Sequence, residues 1–191
     1  MDISNLNYLL ATATIGLQIV TVILLFVFLM RKKVPSFNDI AQSVGGWGLW
    51  IAFGITLVTF LFTEYYKILG FEPCPLCWWQ EIFLYPQIIL FGMAIARSLW
   101  KSDIHGSWIS DFHKTVAENS IVLSIFGAGV ALYQHILQMT PHGTLPCPAT
   151  GTVSCATRIL FEYNYITFPL MAFTTFAFLI VVMLLVRSRR V

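Results

Sequence analysis

The chain has 191 residues, of which 58% are hydrophobic and only 10% are charged, and its mean hydropathy is +0.78. Soluble domains carry about 25% charged residues, so the composition excludes an ordinary soluble domain and predicts an integral membrane protein in a lipid bilayer. The net charge of +2 gives no indication of an acidic partner, and we expect no interaction with nucleic acid.

Five apolar runs in the chain are long enough to be membrane-spanning helices, since about 20 residues cross the hydrocarbon core. The segments between them are predicted to be a polar link at 34–46, a turn around Gly70, a polar loop at 97–114 and a loop at 140–162. The first run is followed, not preceded, by basic residues, which is the reverse of a signal peptide and predicts an uncleaved helix. The five runs cover residues 7–30, 47–63, 78–99, 119–138 and 163–186.

The basic residues indicate how the helices are oriented. Nine of the eleven Lys and Arg residues lie at 31–33, 97–114 and 187–190, whereas the opposite side has only Lys67 and Arg158. Because basic loops stay in the cytoplasm, we predict a multi-pass protein of the bacterial cytoplasmic (inner) membrane. Its N-terminus is predicted to lie outside and its C-terminus in the cytoplasm.

The four cysteines all lie on the predicted outward side. Cys74 and Cys77 precede the third apolar run, and Cys147 and Cys155 lie in the loop before the fifth. That side of a bacterial membrane is oxidising, so disulfides can form and persist there.

The first cysteine pair stands at a predicted helix start. Pro75 suits the first position of a helix, because its missing N–H would have no partner there. Cys74 is then at the cap and Cys77 near the third helical position. The positive end of the helix dipole favours a reactive thiolate at that position.

Two outward cysteine pairs allow three interpretations. They could be structural disulfides, although a pair two residues apart closes only a tiny loop and removes little unfolded-state entropy. They could form a four-cysteine zinc site, although the spacing between Cys147 and Cys155 fits poorly. They could also be a two-stage thiol relay, in which Cys147 and Cys155 meet a soluble partner on a flexible loop. Cys74 and Cys77 would then pass electrons to a lipid-soluble acceptor at the membrane surface.

The chain contains several distinctive short motifs: Pro-Cys-Pro-Leu-Cys-Trp-Trp-Gln at 73–80, Tyr-Pro at 85–86, Tyr-Gln-His-Ile-Leu-Gln at 133–138, Cys-Ala-Thr-Arg at 155–158 and Tyr-Ile-Thr-Phe-Pro at 165–169. Together these motifs resemble the DsbB/BdbC family of disulfide bond formation proteins, over roughly residues 47–186. The resemblance implies an all-α membrane protein with a DsbB-like four-helix transmembrane bundle at 47–191. Residues 1–46 would add one extra N-terminal transmembrane helix and a cytoplasmic link. The sequence leaves open whether this helix packs against the bundle or only anchors it.

The resemblance also implies the chemistry. It makes the chain a thiol:quinone oxidoreductase that reoxidises a thioredoxin-like extracytoplasmic thiol oxidase of the DsbA/BdbD type. Cys147 would form the mixed disulfide with that partner, and Cys147 and Cys155 would then reduce the Cys74–Cys77 disulfide. Cys77 would contact a quinone, either ubiquinone or menaquinone, drawn from the membrane quinone pool, and no metal is expected. The DsbA–DsbB–quinone system is known to keep the bacterial periplasm oxidising.

Three further residues are predicted to contribute to the quinone site. His135 matches a histidine near the quinone in the family, and Trp78 is an interfacial anchor that could also contribute to the pocket. Glu81 stands where the family usually has an arginine, and a carboxylate there would oppose an anionic thiolate or reduced quinone unless it is protonated. Desolvation at the membrane interface favours the protonated form. Otherwise the acceptor is handled differently, activity is weakened, or the role passes to His135.

Two alternative functions follow from the same residues. A vitamin-K-epoxide-reductase-like protein also couples a Cys-x-x-Cys pair to quinone, but its redox motif comes late in the chain. A non-catalytic membrane protein stapled by two disulfides is the other alternative. Elsewhere, Glu64 and Lys67 are predicted to be surface charges at a helix end, and Gly127 and Gly129 to allow close helix packing.

Overall fold

The computed structural model describes residues 3–100, 106–140 and 154–188, without the side chains of residues 106–110. The helices in these ranges are α1 (Ile3–Met30), α2 (Pro35–Ile68), α3 (Pro75–Trp100), α4 (Gly106–Met139) and α5 (Phe168–Arg187). Each is long and apolar enough to cross a membrane. Apart from an isolated bridge between Glu162 and Ile166, the described residues contain no β-structure. The prediction of an all-α membrane protein is therefore confirmed.

Helix α5 lies at the centre of the bundle. It packs against α1, α2 and α4, and α3 packs against α2 and α4. Most of the apolar part of α5 is buried, whereas α1 has few buried residues and lies at the periphery. The core between the helices is built from large apolar side chains, among them Phe91, Phe176, Leu179 and Met183.

The polar link predicted at 34–46 is wrong, because α2 begins at Pro35 and runs through that segment. The pair Gly45-Gly46 is part of the helix, and Gly45 lies close to α5. A Cβ on Gly45 would lie 2.9 Å from the carbonyl oxygen of Leu185. Glycine here lets two helices approach closely, as it often does in membranes. The predicted division of the chain at residue 46 falls inside α2 and stays a prediction.

The predicted loop at 97–114 is also mostly helical. Helix α3 continues to Trp100 and α4 begins at Gly106. Ser98 Oγ and His113 Nε2 are 2.8 Å apart, so a hydrogen bond joins the end of α3 to the start of α4. Two of the polar residues near this segment are thus paired with each other across two helix ends.

The fifth span starts later than predicted, at Phe168 and not at Tyr163. Tyr163 and Asn164 have positive φ values of 51° and 62°, and the N–H of Ile166 donates to the carbonyl of Glu162 at 2.9 Å. This tight turn ends at Thr167, whose side chain accepts a hydrogen bond from the N–H of Leu170 and caps α5.

Helix α1 packs against the bundle by specific contacts. Tyr66 donates a hydrogen bond to Asn7, and Gln18 Nε2 donates to Thr174 Oγ1 at 3.2 Å. Near its N-terminus, the ring of Tyr8 lies 5.4 Å from that of Tyr163. The extra helix is therefore part of the folded bundle.

Candidate active site

The Cys-x-x-Cys pair lies at the start of α3, as predicted. Pro75 is the first residue of the helix, and the N–H of Cys77 donates to the carbonyl of Cys74 at 3.0 Å. The two sulfurs are 3.0 Å apart, which exceeds the disulfide bond length of about 2.05 Å. The structure therefore describes the dithiol form, with both sulfurs at the helix N-terminus.

A buried amide on α4 contacts both sulfurs. Gln134 Nε2 lies 3.0 Å from Cys74 Sγ and 3.4 Å from Cys77 Sγ. Gln80 Nε2 in turn donates to Gln134 Oε1 at 2.6 Å, which fixes the orientation of the Gln134 amide. The sequence analysis included Gln134 in a motif but gave it no role. A glutamine in an apolar run, next to the predicted histidine, was the available signal.

The pKa of the Cys74 thiol is raised above its ordinary value. The main cause is its hydrogen bond with Cys77, and burial is the second. A raised pKa keeps the proton on Cys74. Cys77, inside the first turn of α3, is thus the sulfur better suited to act as the thiolate.

Cys155 packs against the same cysteine pair. It is 1% exposed and belongs to a buried cluster with Cys74, Leu76 and Leu137. The side-chain amide of Gln138 donates to the carbonyl of Cys155 at 3.2 Å. The expectation that Cys155 is accessible on a flexible loop is therefore wrong in this conformation. Cys147 lies outside the described residues.

A cavity of about 480 Å³ opens beside the cysteines. All five helices contribute to its lining, and its surface is mostly apolar. Cys77, Glu81 and Lys67 line it together with Gln134. Apolar residues on one face of α1 also contribute to its wall: Leu10, Ala13, Leu17 and Val20. A concave apolar site with a few converging polar groups is what a small lipophilic ligand requires.

Glu81 is paired with a cation from the neighbouring helix. Its Oε2 lies 2.7 Å from Lys67 Nζ, and the Glu81 side chain is 8% exposed. Lys67 also contacts Glu64 Oε1 at 2.9 Å, and its own side chain is 23% exposed. Lys67 lies in the last turn of α2, as predicted, but the prediction that it is only a surface charge is wrong, because its ammonium group pairs with the buried carboxylate of Glu81.

Comparison with known proteins identifies the family. A family model described as "Disulfide bond formation protein DsbB" matches residues 46–186, which is most of the chain. The chain belongs to the DsbB family. The match begins inside α2 and includes the three described cysteines, whereas α1 lies outside it. The DsbB-family assignment makes the protein a membrane oxidoreductase of disulfide bond formation.

Named relatives agree with this DsbB-family assignment. The SPbeta prophage-derived disulfide bond formation protein B of Bacillus subtilis (strain 168) is 37% identical over 131 residues, covering 66% of this chain and 76% of the relative. A probable disulfide formation protein of Chlamydia trachomatis is 33% identical, covering 67% of this chain and 83% of the relative. The probable disulfide formation protein C of Halalkalibacterium halodurans is 29% identical, covering 82% and 97%. No solved structure matches the chain significantly.

The other two residues predicted for the quinone site of this DsbB-family protein do not line the cavity. The ring of Trp78 is half exposed, and Lys67 Nζ lies 5.0 Å from its centre. His135 is partly buried, and its Nδ1 lies 2.9 Å from Thr167 Oγ1, the cap of α5. Within the part of the chain that the structure describes, no three His, Cys, Asp or Glu residues are arranged to hold a metal ion.

Proposed function

We propose that this DsbB-family protein is a thiol:quinone oxidoreductase that reoxidises a thioredoxin-like extracytoplasmic partner of the DsbA/BdbD type. One observation carries the proposal. The Cys74–Cys77 dithiol borders both a second cysteine and an apolar cavity, because both of its residues line the cavity and Cys74 also packs against Cys155. A dithiol in that position can receive electrons from a second thiol pair and pass them to a lipophilic acceptor.

The thiol steps follow from the cysteine cluster. The partner's dithiol exchanges with a Cys147–Cys155 disulfide, so the partner leaves oxidised and both cysteines become thiols. The Cys155 thiolate attacks Cys74 of a Cys74–Cys77 disulfide, forming a Cys74–Cys155 bond and releasing the Cys77 thiolate. Attack of Cys147 on Cys155 then restores the loop disulfide and leaves Cys74 and Cys77 as the dithiol. The close packing of Cys74 and Cys155 supports the middle step.

The cavity has the properties that a quinone requires. Its apolar wall excludes water and suits a lipophilic ring and tail, and Cys77 presents its sulfur there. A bound ubiquinone or menaquinone supplies the oxidising power, since it takes two electrons and two protons. Gln134 holds both sulfurs in place while they lose those electrons. The amount of apolar surface and the sulfur at its edge support this assignment.

The location of the chemistry is part of the proposal. The distribution of basic residues supports an orientation with the cysteine pairs on the extracytoplasmic side of a bacterial cytoplasmic membrane. Cys74 and Cys77 lie at the end of the bundle where α1 and α5 begin. A soluble partner and the membrane quinone pool would both reach that end.

The two half-reactions can be tested separately. Purified protein is reduced and freed of reductant, and a short-chain quinone is added while quinol absorbance and free thiols are recorded. We expect Cys77→Ser to abolish quinol formation. Cys155→Ser is the matched control: it should still give one turnover of quinol from Cys74 and Cys77 but should fail to oxidise a reduced thioredoxin-like protein.

Two results would refute the proposed function. One is quinone-dependent thiol oxidation at the wild-type rate in Cys77→Ser. The other concerns the Cys77→Ser, Cys147→Ser double variant, which should form a Cys74–Cys155 disulfide under mild oxidation. Failure to trap that bond by mass spectrometry would show that the two cysteines do not exchange.

A further inference from the structure

A chain of hydrogen bonds joins the cavity to the surface of the protein between α2 and α3. Glu81 Oε2 accepts from Lys67 Nζ at 2.7 Å, and Lys67 Nζ donates to Glu64 Oε1 at 2.9 Å. Tyr85 Oη donates to the same oxygen of Glu64 at 2.7 Å. Every link lies within the hydrogen-bond reach of about 2.6–3.2 Å that proton transfer needs.

The two ends of this chain lie in different environments. Glu81 and Lys67 line the cavity beside Cys77. Glu64 lies outside the cavity lining and is 37% exposed at the end of α2. The chain therefore connects a buried carboxylate at the candidate acceptor site with a carboxylate that solvent can reach. Ionisable groups inside a membrane bundle commonly mark such proton pathways.

The four hydrogen-bonded residues contain more acidic than basic side chains. Two carboxylates, Glu64 and Glu81, share the single ammonium group of Lys67, and the Tyr85 hydroxyl is neutral. One additional proton on either carboxylate would make these four residues neutral overall. Among the described residues, the other titratable side chains that line the cavity are Tyr66, Glu72, Cys74, Cys77 and Cys155.

We propose that Glu64, Lys67 and Glu81 carry protons between the protein surface and the cavity beside Cys77. Glu64 takes a proton from solvent, Lys67 passes one of its own protons to Glu81 Oε2, and Glu64 restores the Lys67 ammonium group. The net result is one proton moved inward, with Lys67 charged before and after. Glu81 is then a proton carrier at the position where the resemblance leads one to expect an arginine.

This inference rests on the proposed function, which requires protons at the cavity. When Cys74 and Cys77 close to a disulfide, two S–H bonds break, one S–S bond forms, and two electrons pass to the quinone. Two protons must also reach the quinone, because a neutral quinol contains two more protons than the quinone. Protons released at the sulfurs, or taken from solvent through Glu64, can be held at Glu81 Oε2 next to Cys77.

The test compares Glu81→Gln with Glu118→Gln. Glutamine keeps an oxygen that can accept from Lys67 but cannot carry a proton. Glu118 is the matched control, because it also forms an ion pair, with Arg187 at 3.0 Å, but lies at the opposite end of the bundle. Single-turnover quinol formation by the reduced protein is measured against pH and in deuterium oxide.

We expect Glu81→Gln to slow quinol formation on the order of a hundredfold, which is typical of losing a positioned acid or base. The pH dependence and the solvent isotope effect of quinol formation in Glu81→Gln should also differ from those of the wild type. Glu118→Gln should match the wild type in both properties. Glu64→Gln, at a more exposed position, should give a smaller loss in the same direction. Glu81→Asp should recover part of the rate.

A second measurement needs no quinone. Infrared difference spectra of the quinone-free protein, recorded between the dithiol and the disulfide, should contain a carboxyl band that is absent in Glu81→Gln. If the wild type forms quinol and Glu81→Gln does so at the same rate, with the same isotope effect and the same infrared band, the relay is refuted while the proposed function stands. A wild type that forms no quinol would refute the proposed function itself.

Discussion

Gln134 on α4 donates its side-chain amide to the sulfur of Cys74 at 3.0 Å, across the gap between α4 and the start of α3. The same nitrogen lies 3.4 Å from Cys77 Sγ, so one amide group contacts both members of the Cys-x-x-Cys pair. Gln80 Nε2 donates a hydrogen bond to the oxygen of the same Gln134 amide. The two cysteines are therefore positioned from a helix that is distant in sequence.

Removing the Gln134 amide should weaken both stability and reactivity. Gln134→Leu leaves the buried amide of Gln80 without its partner, which costs about 1–3 kcal/mol of unfolding free energy. Quinol formation in a single turnover should fall by about fivefold to tenfold, since a neutral hydrogen bond contributes about 1 kcal/mol. Thermal unfolding and single-turnover kinetics are the two measurements.

The Gln80→Leu, Gln134→Leu double variant separates the two effects. It removes both amides, so it should be less destabilised than the sum of the single variants. Gln18→Leu is a suitable control, because Gln18 makes a hydrogen bond on α1, to Thr174, away from the cysteines. Additive losses in the double variant would mean that Gln80 does not support Gln134.

The raised pKa of Cys74 predicts a specific pH dependence of its alkylation. In a Cys147→Ser, Cys155→Ser background, the alkylation rate of Cys74 should rise only above pH 8.5 or so, the ordinary cysteine value, because less thiolate is present at any lower pH. Cys77→Ala removes the main cause of the shift. The midpoint should then move down towards the ordinary value, while burial keeps it above.

Mass spectrometry of the alkylated peptide over a pH series gives this midpoint directly. Iodoacetamide is small enough to limit the effect of restricted access, which changes the absolute alkylation rate and not the midpoint. A Cys74 midpoint at or below the ordinary value in the parent protein would contradict the prediction.

Two glycines on α4 should respond differently to the same substitution. A Cβ on Gly127 would clash with the ring of buried Phe176, whereas a Cβ on Gly129 would have no neighbour within 4 Å. Gly127→Ala should therefore lower the unfolding free energy by about 1–3 kcal/mol through overpacking. Gly129→Ala should be neutral or stabilise the helix by up to about 1 kcal/mol. Denaturation in mixed micelles measures both, and equal effects would contradict the packing.

Helix α1 should influence ligand binding in the cavity although it lies outside the region matched by the family model. Leu17 lines the cavity, so Leu17→Trp should occupy part of its volume and raise the KM for a short-chain quinone about tenfold, equivalent to about 1.4 kcal/mol. Ile19→Trp is the matched control, because Ile19 is on the same helix but faces away and is 56% exposed. Both variants should oxidise a thioredoxin-like partner normally in its first turnover.

An unchanged KM in Leu17→Trp, in a protein that remains folded, would mean that α1 does not contribute to acceptor binding. A rise in KM in Ile19→Trp as large as in Leu17→Trp would indicate a general effect of a bulky side chain on α1. Either result would contradict the prediction that the α1 residues lining the cavity contribute to quinone binding.

Much of the fold could be predicted from local features of the chain. Apolar length predicted five spans, and Pro75 together with the cysteine spacing predicted the start of α3, because both depend on residues close in sequence. The helix ends were predicted less well. The segment 34–46 contains two adjacent glycines that normally indicate a link, yet here they let α2 approach α5. Only the neighbouring helix distinguishes these two uses of glycine.

In the candidate site, too, the features that depend on nearby residues were predicted, and the contacts between distant residues were not. Cys74 and Cys77 were predicted from a motif, and their mutual proximity follows from one helical turn. Lys67 was predicted to be a surface charge, because its partner Glu81 is on another helix and nothing local links the two. Gln134 lacked a role for the same reason. The burial of Cys155 against Cys74 depends on how the 154–167 segment returns over α3 and α4.

By itself, the sequence determined that this protein is helical, that it belongs in a membrane, and that a Cys-x-x-Cys pair lies at a helix N-terminus. These properties follow from composition, run length and spacing, which act over a few residues. Tertiary structure decided which polar groups meet: an amide with two sulfurs, a lysine with a buried carboxylate, and one face of α1 with the cavity. Such pairings join residues far apart in the chain, and only the packing of helices fixes them.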